Sequence, residues 1–152
     1  MKFDHQEYYD LLGQVMPDVV LSHIPPKFLC DNMFNGQNVG SPALTKHIQD
    51  SSPKLVMCGH IHEAGPLGGN PHEVKGMAMK DGTVVVNPGN LGRFELVNFP
   101  SLETARSFDY GTFSRVELEE DGSPLKVEHY TLSSPENTFG EVIELAEYDL
   151  GR

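Results

Sequence analysis

The apolar positions along the chain follow two different patterns. From His5 to Val15 the apolar residues recur at helical spacing, which predicts a helix that ends at Pro17. The helix presents four apolar side chains on one face: Tyr8, Leu11, Leu12 and Val15. The runs Val19–Leu21 and Leu55–Cys58 are instead continuously apolar and short, which predicts buried strands.

Turn signals divide the rest of the chain into further elements. Ser41 is a good N-cap and Pro42 suits the first helical position, so a second helix is predicted to about Asp50. Two strand pairs follow, each joined by a Gly-containing turn: Val74–Met79 with Thr83–Asn87, and Gly111–Glu117 with Leu125–Leu132. From about 133 to 152 the chain is acidic and weakly patterned, and no element is predicted there.

Three histidines come where the predicted strands end. His23 follows the first strand, and Gly59-His60-Ile61-His62 follows the second. In an extended segment His60 and His62 would point to the same face, with Ile61 turned away. Neutral imidazole is the commonest ligand for transition metals, so this pair can hold one metal or reach one into each of two adjacent metals.

The sequence around these histidines resembles the last two metal-binding motifs of the calcineurin-like metallophosphoesterases. The resemblance rests on Ser22-His23 before Pro25-Pro26, on Gly59-His60-x-His62, and on Asn87-Pro88-Gly89, and it extends from about Val15 to about Gly92. It is closest to the small prokaryotic phosphoesterases of this superfamily. It implies an α/β fold, a βαβ unit followed by β-hairpins, as one half of the αββα sandwich.

The resemblance also implies a role for each histidine and a reaction. His23 and His60 would serve one divalent ion and His62 a second, with Mn, Fe or Zn as the metal and a phosphodiester or phosphomonoester as the substrate. The three upstream motifs of the family, Asp-x-His, Gly-Asp and Gly-Asn-His, have no counterpart in the sequence. The chain is therefore expected to be a single partial domain over 1–152 that lacks the bridging aspartate and the catalytic histidine, so no catalytic residue is assigned.

Composition limits the remaining functions. The formal net charge of −11 opposes binding to nucleic acid, and no apolar run is long enough to cross a membrane. Two cysteines do not make a disulfide framework, which favours free thiols and a cytoplasmic location.

Two functions remain open at this stage. The first is a metal-dependent phosphoesterase, weak or inactive alone, whose missing ligands come from another segment or chain. The second is a non-catalytic interaction module on the same fold. In either case half a fold is expected to leave Val19–Leu21 and Leu55–Met57 exposed at a sheet edge, which would favour a homo-oligomer or a partner chain.

Four residues near the motifs receive simpler interpretations. His47 is expected on a polar, half-exposed helix face, and Glu63 is expected to be a solvated carboxylate. Asn87 is expected to shape a turn. Gly59 allows either a simple turn or a close backbone approach.

Overall fold

A computed structural model describes residues 5–68, 76–132 and 142–151 of the chain. Helix α1 spans His5–Val15, strand β1 spans Val19–Leu21, and helix α2 spans Pro42–Ser51. Strand β2 spans Leu55–Met57. These four elements confirm the sequence predictions to within a residue or two.

The main sheet has four strands and is mostly parallel. Strands β3 (Met77–Lys80) and β4 (Thr83–Val86) complete it in the order β1-β2-β4-β3, with β1, β2 and β4 parallel. The β3–β4 hairpin turns at Asp81 and Gly82, and both residues have a positive φ, as the two central residues of a type I′ turn require. Residues 74 and 75, where the sequence predicted the start of β3, lie outside the described residues.

Each face of this sheet is covered. On one face, side chains of α1 and α2 pack against the sheet in a core around Leu44, Ile48 and Val56. On the other face, Leu55, Val84 and Val86 meet Val127 of a second sheet. The chain is thus an α/β protein with a helix layer, a mostly parallel sheet and an antiparallel sheet.

The second half of the chain is antiparallel. Strands β5 (Phe94–Val97) and β6 (Thr104–Phe108) form a hairpin, and a three-stranded sheet has the order β7-β8-β9. Its strands are β7 (Gly111–Leu118), β8 (Pro124–Leu132) and β9 (Val142–Asp149). The expectation of an unpatterned tail from about 133 is wrong for β9, which pairs with β8 along its length. Residues 133–141 and 152 lie outside the described residues.

The expected exposed edge is found in only one of the two strands. Leu55 and Val56 are completely buried because β2 lies between β1 and β4 and is covered on both faces. Strand β1 does form the edge of the sheet, and the side chain of Leu21 is 81% exposed. Within the described residues, no helix is long and apolar enough to cross a membrane.

Candidate metal centre

His23 and His60 meet at the carboxyl ends of two neighbouring parallel strands. Strands β1 and β2 pair in register, and the Ser22 N–H extends the pairing by donating to the Met57 carbonyl at 2.9 Å. The histidines that follow the two strands therefore lie at the same edge of the sheet, where the ligand sites of α/β proteins are usually found. The ring centroids of His23 and His60 lie 4.7 Å apart with the planes tilted by 51°, and both side chains are exposed.

A hydrogen bond holds the segment that carries His23. The Ser22 hydroxyl donates to the Ile24 carbonyl at 2.7 Å and accepts from the Tyr8 hydroxyl at 3.3 Å. Beside it lies a cleft of about 360 Å³ that Tyr8, Leu21, Ser22 and His23 help to line. His23 thus borders a cleft that also includes Leu21 of the edge strand.

The backbone around His60 is a tight turn and not the extended segment that the sequence suggested. The Ile61 N–H donates to the Gly59 carbonyl at 2.7 Å, which closes a three-residue turn with His60 at its centre. His60 has a φ of 65°, in the left-handed region that a β-carbon disfavours. Ile61 is buried, and a single 3₁₀ turn, His62–Ala64, follows. The turn places an imidazole at a strained position next to the strand end, where functional groups often lie.

Gly59 does not make the close approach that was one of its two interpretations. A β-carbon at Gly59 would meet no atom within 4 Å, so the simple turn is the interpretation that the structure supports. The close approach occurs further along, between Gly65 and Gly89, where a β-carbon on Gly65 would overlap the Cα of Gly89. This contact presses the loop after His62 against the turn that follows β4.

His62 lies within electrostatic range of the other two histidines. Burial lowers the pKa of His62, the Glu63 carboxylate raises it, and the nearby His60 and His23 lower it further. A lowered pKa keeps the ring neutral at neutral pH, which is the form that binds metal. Glu63 is only 6% exposed, so the expectation of a solvated carboxylate is wrong. Gly68 packs closely on the backbone of Glu63, where a β-carbon on Gly68 would overlap the Glu63 Cα.

Asn87 braces the turn from behind. Its side-chain amide donates to the carbonyls of Ile61 and Cys30, at 3.0 and 3.1 Å, and its oxygen accepts from the Gly89 N–H at 3.0 Å. The side chain is completely buried. Asn87 therefore has the structural role that the sequence predicted, and it fixes the carbonyl of the residue between His60 and His62.

His47 is not the surface histidine that the sequence predicted. It is completely buried on α2, and neither ring nitrogen has a hydrogen-bond partner among the described residues. The buried positions of α2 are Ala43, Leu44, His47 and Ile48, a stripe at helical spacing that includes the histidine. The spacing of His47 from Ala43 and Leu44 is the signal in the sequence that could have identified this face, but the polarity of the side chain led to the wrong prediction.

Asp31 is a buried carboxylate near the centre that the sequence analysis did not single out. It is completely buried, and its Oδ2 accepts from the Gly40 N–H at 2.8 Å. Its charge raises the pKa of the Cys58 thiol, after burial and Cys30, so it lies near the end of β2. No local pattern marks it, because its partner is nine residues away in a loop.

Three imidazoles are a donor set of the kind that divalent transition metals prefer. Among the described residues, the ligating nitrogens of the three histidines do not all fall within 4.8 Å of one another. The three imidazoles are therefore not arranged as a single closed three-ligand site in this structure. His23 and His60 are the pair whose rings approach most directly.

Two of the three carboxylates in the acidic cluster of the second sheet form ion pairs with basic residues. Glu128, Glu144 and Glu147 bring carboxylate oxygens within 4.8 Å of one another. Lys126 bridges Glu128 and Glu147 at 3.1 and 2.6 Å, and Arg115 reaches Glu128 at 3.2 Å. The cluster is therefore an ion-pair network on a sheet surface.

The fold and site define an α/β protein with histidines at the ends of adjacent parallel strands. No protein-family model and no curated protein matches the chain. A solved structure, vacuolar protein sorting 29 from Cryptosporidium parvum, is similar over 71% of this chain and 44% of that one, with 17% identity and a TM-score of 0.33. The chain thus matches less than half of that protein's length, and a likeness at this level carries no argument about function.

Proposed function

We propose that this chain provides the histidine ligands of a dinuclear metallophosphoesterase centre. The observation that carries the proposal is the approach of the His23 and His60 rings to 4.7 Å at the ends of β1 and β2. The motif resemblance adds His62 as the ligand of a second ion. Two divalent ions held in this way would bind phosphoryl oxygens and lower the pKa of an attacking water.

Hydrogen bonds made by neighbouring residues would orient the histidine ligands. Ser22 holds the segment of His23, and Asn87 holds the Ile61 carbonyl between His60 and His62. Such supporting hydrogen bonds keep ligands in position before metal arrives. Three imidazoles are nevertheless too few for two ions, and the family's bridging carboxylate has no counterpart here. We therefore expect the chain alone to hydrolyse phosphoesters poorly.

The missing ligands would come from a segment that pairs with β1. Strand β1 is at the edge of the sheet, and its Leu21 is largely exposed beside the cleft of His23. An unpaired strand edge with an exposed leucine favours addition of another strand. A strand added there would end next to His23, where further ligands are needed.

A second function is supported by the same edge. If β1 and Leu21 bind a partner that brings no ligands, the chain is a non-catalytic interaction module. The two functions differ in whether metal binding depends on the histidines and whether a bound partner restores hydrolysis. A chain that carries the Asp-x-His, Gly-Asp and Gly-Asn-His motifs is the first partner to test.

Metal binding by purified chain is the decisive experiment. We expect Zn²⁺ or Mn²⁺ to bind at single or partial occupancy, and His60→Ala to weaken binding by about 100-fold or more, because the loss of a ligand is at least as costly as the loss of a supporting residue. The control is the double variant Glu144→Gln/Glu147→Gln, which removes the acidic cluster and should leave metal content unchanged. Equal metal content in His60→Ala and the parent chain would refute the proposal.

Hydrolysis of bis(4-nitrophenyl) phosphate extends the test to the reaction. The chain alone should fall far below an ordinary enzyme rate of order 10 per second. Addition of a chain with the missing motifs should raise the rate, and Leu21→Lys should reduce this gain by blocking the β1 edge. Binding of that chain with no gain in hydrolysis would favour the interaction module.

A further inference from the structure

A second cleft lies between one side of α2 and the edge strand β3. It has a volume of about 610 Å³, within the range of roughly 300–1,000 Å³ that is usual for ligand sites. Its apolar lining comes from Phe28, Leu29, Pro42 and Met79. Phe28 and Met79 are 68% and 57% exposed, so the cleft presents large apolar surface to solvent.

Phe28 is held in a conformation that a phenylalanine disfavours. The Leu29 N–H donates to the Pro26 carbonyl at 3.2 Å, which makes Phe28 the third residue of a four-residue turn. Its φ is 72°, in the left-handed region where glycine or asparagine is preferred at this turn position. The sequence therefore places an exposed aromatic side chain where glycine would be less strained. Strain of this kind at an exposed residue points to a role outside folding.

Three lysines line the cleft on an otherwise acidic protein, and two of them form exposed ion pairs with aspartates. Lys27, Lys46 and Lys80 line it, which is three of the 11 basic residues in a chain with net charge −11. The Lys27 ammonium lies over the Phe28 ring at 5.5 Å. Lys46 contacts Asp50 at 2.5 Å and Lys80 contacts Asp81 at 3.5 Å. Because these ion pairs are exposed and contribute little, an incoming carboxylate can replace them.

The geometry points to a docking site for an acidic peptide segment with a large apolar anchor residue. The anchor would pack against Phe28 and Met79, and flanking carboxylates would face Lys27 and Lys80. A concave, aromatic-lined floor with charges at its rim is the arrangement that gives peptide sites both affinity and specificity. A short peptide would face only the cleft and its lysines, whereas an anionic membrane or a nucleic acid would face a larger part of a chain whose net charge is −11 and would be repelled.

The site is tested with a displayed library of short random peptides, selected on the purified chain. We expect enrichment of peptides that combine an aromatic or aliphatic residue with flanking Asp or Glu. For an enriched peptide, Phe28→Gly should weaken binding by about 30-fold, because an aromatic anchor is removed. Lys27→Glu should weaken binding by about fivefold, since one exposed charge contact is reversed.

Leu102→Gly is a matched control. Leu102 is also 68% exposed and also has a positive φ, of 59°, but it lies outside the cleft. Both glycine variants should keep or raise the melting temperature, because both relieve backbone strain, and only Phe28→Gly should lose the peptide. Enrichment of nothing or of neutral peptides would overturn the proposal. So would unchanged binding by Phe28→Gly, or a melting temperature for that variant well below that of Leu102→Gly.

Discussion

The parallel and antiparallel parts of the molecule use histidine in opposite ways. His23 and His60 follow the ends of β1 and β2, where their rings are exposed and face each other. His129 lies in the middle of β8, is completely buried, and shares a 2.7 Å hydrogen bond with the Ser114 hydroxyl of the neighbouring strand. The same side chain is thus available to a ligand at a strand end and is part of the core within a strand.

Burial also has different electrostatic consequences in the two parts. Burial lowers the pKa of His129 to about 4, and its Nε2 has no hydrogen-bond partner among the described residues. Near the strand ends, the pKa of His62 responds to Glu63, His60 and His23 as well as to burial. A histidine surrounded by other titratable groups is a better functional candidate than one that only burial perturbs.

The largest expected effect separates a residue that holds the candidate metal centre in place from a residue that only stabilises the fold. Asn87 and Asn90 are both buried asparagines that donate two hydrogen bonds to main-chain carbonyls. Replacing either with Ala should lower the free energy of unfolding by about 3 kcal/mol, since buried carbonyls lose their donors. Only Asn87→Ala should also weaken Zn²⁺ binding, by about 10- to 100-fold, because only Asn87 holds Ile61.

Urea unfolding and zinc titration measure the two quantities. Asn90 is a suitable control because its amide donates to the Tyr110 carbonyl, towards the antiparallel part, and not to the Ile61 carbonyl. An equal loss of zinc affinity in Asn90→Ala would mean that the centre responds to global stability and not to its own support.

The second prediction concerns pH and His129. Its pKa is about 4 in the folded chain and about 6.5 when unfolded, so below pH 6.5 the unfolded state binds a proton that the folded state does not. Stability should therefore fall as pH drops from about 6.5 to about 4, by up to about 3 kcal/mol from this group. His129→Gln cannot titrate and should flatten this part of the curve.

The measurement is the free energy of unfolding of parent and variant across that pH range. Carboxylates that titrate at lower pH are common to both proteins, so the difference between the curves isolates the histidine. Parallel curves would show that His129 is protonated in the folded state, and the contrast with the strand-end histidines would be lost.

Local sequence predicted the parallel part well because its determinants are local. Continuous apolar runs gave β1 and β2, the Ser41-Pro42 pair gave the start of α2, and Asp81-Gly82 gave the hairpin. Strands β1 and β2 are parallel and paired in register, so the histidines that follow their carboxyl ends, His23 and His60, lie close together. Their binding of metal stays a prediction.

The parts that were missed depend on contacts distant in sequence. Strand β9 is an edge strand with exposed Val142, Ile143 and Glu144, so it lacks a clear alternation of buried and exposed residues. Its pairing with β8 is reinforced by the Lys126–Glu147 ion pair across the strands, which no local pattern reveals. The buried positions of Glu63 and His47 likewise arise from tertiary packing, which overrides the polarity of the side chain.

The smallest expected effect compares a helix cap in the parallel part with a turn in the antiparallel part. Ser41 is 2% exposed and its hydroxyl accepts from the Leu44 N–H at 3.3 Å, so it caps α2. Ser123 accepts no such helix bond; its hydroxyl donates to Asp121 at 3.0 Å in an exposed turn. Ser41→Ala should cost about 1 kcal/mol of unfolding free energy, and Ser123→Ala less than about 0.5.

Glycine at position 41 separates capping from side-chain packing. Glycine is well tolerated at the N-cap position, so Ser41→Gly should cost only a few tenths of a kcal/mol relative to the parent chain. Thermal unfolding of the three variants gives the ranking. If Ser41→Gly is as unstable as Ser41→Ala, the hydroxyl contributes through contacts at the His23 cleft, which it also lines, and not as a cap. The stability of the parallel part would then depend on a residue that lines the cleft beside His23, whereas Ser123 of the antiparallel part lies outside that cleft.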